Sequence, residues 1–193
     1  SVGGFTSMTT AIYGLTTVMN AYGLSSSEAE RIMDQLVMTQ NLGKTTVDEL
    51  GVSLGNIVPT AATLGVDFSS IATAIALITA QGIKTPAAIT GLKAALSSIQ
   101  KPSAQAKEAA EKLGIAFNST ALASQGLFGF LGNVADAMEK AEDRGWDAKE
   151  MAGDLFGSVE GLNSVFAIMN TEGEKVETTL NQIATAEGTA AAA

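Results

Sequence analysis

Cysteine and histidine are both missing from this 193-residue chain. Without cysteine there is neither a disulfide framework nor a thiolate nucleophile. Without histidine there is no imidazole base, and the usual zinc ligand sets cannot form. A metal site built from carboxylates alone remains open, but no motif in the chain suggests one, and no motif implies a cofactor. Cysteine absence also fits a reducing compartment. Aromatic residues are scarce, at 5 %, and the alternating, aromatic-rich runs of β-strands are missing. Positive charge is scarce too: 11 Lys and Arg stand against 20 Asp and Glu, for a net charge of −9. A nucleic-acid clamp neutralises phosphates with clustered cations. Here only Lys101, Lys107 and Lys112 fall close together, offset by Glu108 and Glu111, so no specific nucleic-acid binding is expected. The first residues show no Met, basic stretch or cleavage site of a signal peptide. Ser1 and the closing Thr189 with its four alanines read as internal points of a longer polypeptide, and the alanines are expected to pack against nothing specific.

What is present is helical periodicity. Phe5, Met8, Ile12, Leu15 and Met19 are spaced 3, 4, 3, 4, a seam of the coiled-coil type, inside a stretch, 1–27, that carries no charge. A second helix is expected over 27–42, with Ala29, Ile32, Met33, Leu36 and Val37 inward and Glu28, Glu30, Arg31 and Asp34 on its surface. Thr46 and Glu49 form a capping-box pattern before a third helix, which Pro59 should kink or break. A fourth helix, 68–81, places Phe68, Ile71, Ile75 and Ile78 on one face and small or apolar residues on the others, the composition of a central helix. A fifth, 86–100, is expected to use Thr85 as N-cap and Pro86 as its first residue, with Ile89, Leu92, Leu96 and Ile99 as its seam. Further helices are expected over 104–113, 120–143, 147–156, 159–170 and 174–187.

One local device recurs. Gly23-Leu24, Gly65-Val66, Gly82-Ile83 and Gly114-Ile115 each place glycine, then an apolar residue, after a helical stretch. Glycine can take the left-handed position that ends a helix, and the apolar residue then folds back on the last turn. The expected fold class is therefore all-α: consecutive antiparallel helical hairpins packed as a bundle and able to self-associate. Three parts are expected: an N-terminal heptad-like helix, 1–24, a helical core, 25–117, and a C-terminal helical part, 118–193.

Each candidate for chemistry has a plainer reading beside it. Gly51 and Gly55 match the Gly-x-x-x-Gly pattern of helices packed in membranes, and equally a glycine–proline kink in a soluble helix. Between Glu49 and Lys93 the only charges are Asp67 and Lys84. Residues 50–99 are thus either an element that inserts in a membrane or the buried centre of a bundle; each uncharged run is shorter than the roughly 20 apolar residues a spanning helix needs. Glu108 with Glu111 and Glu172 with Glu174 could form the carboxylate pair of a glycosidase, but they lie among Lys and Ala and read as solvated faces. Trp146, beside Gly145, reads as a packing anchor or an exposed partner contact. No catalytic residue is expected.

Residues 58–115 carry a specific resemblance. Val58-Pro59-Thr60-Ala61-Ala62-Thr63-Leu64-Gly65-Val66 comes first, then Leu77-Ile78-Thr79-Ala80-Gln81-Gly82-Ile83-Lys84. Thr90, Leu92, Lys93, Leu96 and Ile99 follow, closed by Lys101-Pro102-Ser103 and Lys112-Leu113-Gly114-Ile115. In this order they resemble the core region of phage tail tape-measure proteins, with fainter echoes in Leu155-Phe156-Gly157 and in 186–190. One departure stands out: the family pattern Ala-Gly-Thr-Ala-Leu is replaced by Ala88-Ile89-Thr90-Gly91-Leu92, which moves the small residue. The resemblance implies a structural protein, not an enzyme, housed in the lumen or tip of a virion tail after assembly in the host cytoplasm. It implies a protein that sets tail length and leaves ahead of the DNA. The partners it implies are tail tube and tail-tip proteins, tail assembly chaperones, copies of itself (a trimer being one option) and, during infection, the host membrane. Some members carry peptidoglycan-cleaving domains; nothing in this chain matches one. A membrane-inserting protein that helps form a channel for DNA is the alternative reading.

Overall fold

A computed structural model describes residues 3–192, with side chains from Met8 to Ala191; the Phe5 side chain lies outside the described residues. Among the described residues the chain is all-α and contains no strand. The helices are α1 (Gly3–Tyr22), α2 (Ala29–Leu42), α3 (Val47–Ser53), α4 (Val58–Thr63), α5 (Phe68–Ala80), α6 (Thr85–Gln100), α7 (Ala104–Leu113), α8 (Ser119–Asp143), α9 (Ala148–Phe156), α10 (Val159–Met169), α11 (Gly173–Ala184) and α12 (Thr189–Ala192).

Capping side chains fix where the helices begin. Asp67, Ser103, Asn118 and Ser158 each accept a backbone N–H three residues on, at 2.9–3.0 Å, and Asp147 accepts two, from Lys149 and Glu150. Each satisfies donors that the first helical turn leaves orphaned. Thr46 accepts the Glu49 N–H at 3.1 Å, so one half of the expected capping box forms. The other half is diverted: Glu49 Oε2 accepts the Thr85 hydroxyl at 3.0 Å. Thr85 is consequently not an N-cap. It is the first residue of α6, and its buried hydroxyl bonds to buried Thr45 and to the exposed Glu49 instead.

The helix expected across Pro59 is broken ahead of the proline. α3 ends at Ser53, a 3-10 turn covers Leu54–Asn56, and Pro59 sits in the first turn of α4, where its missing N–H costs no hydrogen bond. α8 is also interrupted: Gly126 has φ 70° inside the span expected to be continuous. Gly23, Gly65, Gly82 and Gly114 all have positive φ, as the recurring glycine–apolar device requires.

α5 is central. Every residue from Ser70 to Thr79 is buried, and the helix is flanked by α2, α11, α6, α10 and α4. The two most extensive pairings join elements distant or non-adjacent in sequence, α6 with α10 and α1 with α3, and α7 lies against α9. One core cluster runs from Val18 to Ile183. At its far end Phe117 packs on Phe130 and Phe156, with ring centroids 5.7 and 5.4 Å apart.

Candidate interaction surfaces

The expected packing residues divide into two groups. Phe68, Ile71, Ile75, Ile78, Leu92, Leu96 and Ile99 are all buried, the first four on α5 and the rest on α6. The N-terminal seam behaves differently. Met8 is 64 % and Ile12 51 % exposed, and Leu15 and Met19 are half-buried. α1 instead turns Gly14 and Val18 inward. The reason is close approach: a Cβ on Gly14 would lie 2.9 Å from Gly51 Cα, and one on Gly51 would strike the Thr10 carbonyl oxygen and methyl group. Two glycines therefore let α1 and α3 cross backbone to backbone. Gly55, the other half of the Gly-x-x-x-Gly pattern, is exposed in the 3-10 turn. Met8 and Ile12, with Tyr13 at 62 %, are left as an outward apolar stripe.

The α6–α10 crossing is built the same way. A Cβ on Gly91 would strike Ser164 Oγ and the Glu160 carbonyl oxygen, and one on Gly161 would lie 3.3 Å from Ala95 N. Gly91 is the small residue of the 88–92 segment, and it is the one that makes this close contact.

Polar groups inside the core act as ties. Asp34, expected on the surface, is only 2 % exposed. Its carboxylate accepts the Gly188 and Ala190 N–H groups at 2.8 and 2.7 Å, and its backbone carbonyl accepts the Thr189 hydroxyl. The tail expected to pack against nothing is thereby pinned to α2. The neighbouring Gln35 is wholly buried with neither amide atom hydrogen-bonded. Asp67 caps α5 from between α4 and α5. Its burial pushes its carboxyl pKa up, but the hydroxyls of Ser69 and Ser70 and the Ser70 N–H outweigh that and hold it below the usual carboxylate range. Tyr22 donates its hydroxyl to the Val66 carbonyl at 2.7 Å; burial, with the nearby Asp67 charge, raises its pKa well above the ordinary phenol value.

Among the described residues no group of three or more Asp or Glu side chains is placed to hold a metal ion. No helix there is long and apolar enough to cross a membrane; residues 50–99 are divided among α3, α4, α5 and α6. Glu108 is engaged with Lys112 at 2.9 Å, and that pair and Glu111 lie on the exposed face of α7.

These features describe a class: an all-α packing protein whose specific chemistry is in helix crossings and caps. Residues 1–157 match the family model for phage-related minor tail proteins, and the chain belongs to that family. It is thus a structural component of a phage tail. It is also 30 % identical over 192 residues to a probable tape measure protein of Clostridium phage phiCD119, the match taking in 96 % of this chain and 20 % of that protein. The chain therefore spans about a fifth of the length of this relative. No solved structure matches it.

Proposed function

We propose that this chain is a folded section of a tape-measure protein, which sets tail length during assembly and leaves the tail ahead of the DNA during infection. The observation that carries the reading is the similarity to a probable tape measure protein along 96 % of the chain. The packing supports it too, because the residues of the 58–115 resemblance supply α5 and α6, the centre of the core. In this reading the protein occupies the tail lumen or tip. Its partners are tail tube and tail-tip subunits and tail assembly chaperones. Copies associate through the outward stripe of α1.

Tail length is the direct test. An in-frame deletion of these 193 residues from the parent phage protein should give shorter tails by electron microscopy. Were the segment one continuous helix, at about 1.5 Å per residue it would account for on the order of 290 Å. A section that stays folded in the tail shortens it several-fold less. Tails of unchanged length in a phage that still infects would overturn the reading.

A further inference from the structure

We propose that the groove between α7 and α9 docks an arginine-bearing segment of a partner protein, with Trp146 as its anchor. The groove has a volume of about 530 Å³. Ala109 and Met151 are buried beneath it, and Glu108, Glu150 and Asp154 stand exposed around it, with Trp146 at the start of α9. On α7 the lining runs from Gln105 to Lys112, about two helical turns, so the occupant is short.

Two independent observations name the chemistry of the occupant. The first is charge. Four carboxylates, those of Glu108, Asp147, Glu150 and Asp154, line the groove against the single ammonium of Lys112. The hydrogen bond and charge of Glu108, helped by Asp154 and Glu150, push the Lys112 pKa up, as expected where the local field is negative. The second is the indole. Trp146 is 42 % exposed, and the chain's own Arg144 guanidinium lies 5.6 Å from the ring centroid. This ring already takes a guanidinium, and tryptophan is the strongest aromatic partner for one. An incoming arginine competes with Arg144 for the ring, while Glu150 and Asp154 accept its N–H groups in the paired geometry that arginine favours. The aliphatic stem covers Met151 and Ala109. Another copy of this chain, at net charge −9, is poorly matched to an acidic groove. The inference does not depend on the tail-length reading, since it rests on this surface alone.

Trp146 is the only tryptophan, so its emission reports on the groove. The full 193-residue chain is titrated with a short capped peptide of arginine and alanine, and separately with the glutamate–alanine counterpart. The arginine peptide should shift Trp146 emission saturably and move the amide resonances of Ala109 and Met151, and added salt should weaken it. The glutamate peptide should do neither. A Glu150→Gln, Asp154→Gln double variant changes two exposed side chains and leaves the Asp147 cap alone; it should weaken binding roughly fivefold or more. A Glu28→Gln, Glu30→Gln variant at the start of α2, with the same change in net charge, should bind as the parent does. Absence of a saturable shift, or equal weakening by both double variants, overturns the proposal. So does an emission change that follows protein concentration without peptide, because that marks a contact between copies.

Discussion

At Gly91 and Gly161 the side chain is a single hydrogen, and the α6–α10 crossing uses both. A methyl group on Gly91 would meet Ser164 Oγ and the Glu160 carbonyl, which is helix backbone and cannot step aside. Overpacking of this kind costs about 1–3 kcal/mol, so Gly91→Ala should lower stability by that amount in urea unfolding. Gly132 is the internal control. It lies in α8 with open space around it, and Gly132→Ala should raise stability by roughly 0.5–1 kcal/mol through helix propensity. Equal effects at both sites would contradict the close-crossing account. Asp34 makes a second prediction. Its buried carboxylate holds two N–H groups of the tail, and hydrogen bonds to a charged group are worth about 1.5–3 kcal/mol. Asp34→Ala should therefore speed amide exchange at Gly188 and Ala190 while leaving α5 protected. Neither residue's role was open to local reading. Asp34 lies one turn on from Glu30 and Arg31, the spacing of a solvated charged face, and its partners are more than 150 residues away. Gly51 was open to two readings, close packing or a glycine–proline kink, and nothing in the sequence says that α1 is what it contacts.

Helix boundaries, by contrast, were largely written in short-range signals. The caps Ser103 and Asp147 and the glycine–apolar pairs at 23, 65, 82 and 114 mark ends that depend on residues three or four apart. Gly126-Leu127 carries the same signature, with Gly126 at φ 70°, so the interruption of α8 was readable there. Thr85 misleads because Pro86 follows it: the pair looks like a cap and a first residue, whereas a tertiary contact with Thr45 and Glu49 claims the hydroxyl. At the start of α5, Asp67 links helix capping to pH. Its carboxyl pKa is depressed in the fold, so its contribution is present at neutral pH, above the ordinary carboxylate value of about 4. That contribution is lost as pH falls through the lower folded value. Asp67→Asn should therefore flatten the fall of stability below about pH 4; an unchanged acid limb in thermal melts would contradict this. α1 carries the prediction about association. Met8 and Ile12 are more than half exposed on a helix without charge, so two copies can meet there despite a net charge of −9. A Met8→Asp, Ile12→Asp variant should abolish concentration-dependent association in light scattering while keeping its helical circular dichroism. A parent chain that stays monomeric at high concentration would refute the stripe as an interface.

For the whole molecule, the all-α class followed from apolar positions three and four apart, and the burial of Phe68, Ile71, Ile75 and Ile78 shows why that periodicity is informative. The pairing of helices was not legible, because α6 finds α10 and α1 finds α3 through glycines whose partners lie on other elements. The accessible surface is 9619 Å², near the roughly 8,600 Å² expected for a folded protein of this mass and far from the roughly 28,000 Å² of an extended chain. A tail component of this family, with one core running from Val18 to Ile183, should therefore behave as a closed body in solution. Small-angle scattering of the isolated chain, extrapolated to zero concentration, tests this most directly. The account requires a radius of gyration of about 16 Å, the value for a compact domain of this length. A profile of a rod, with a radius several times larger, would contradict it.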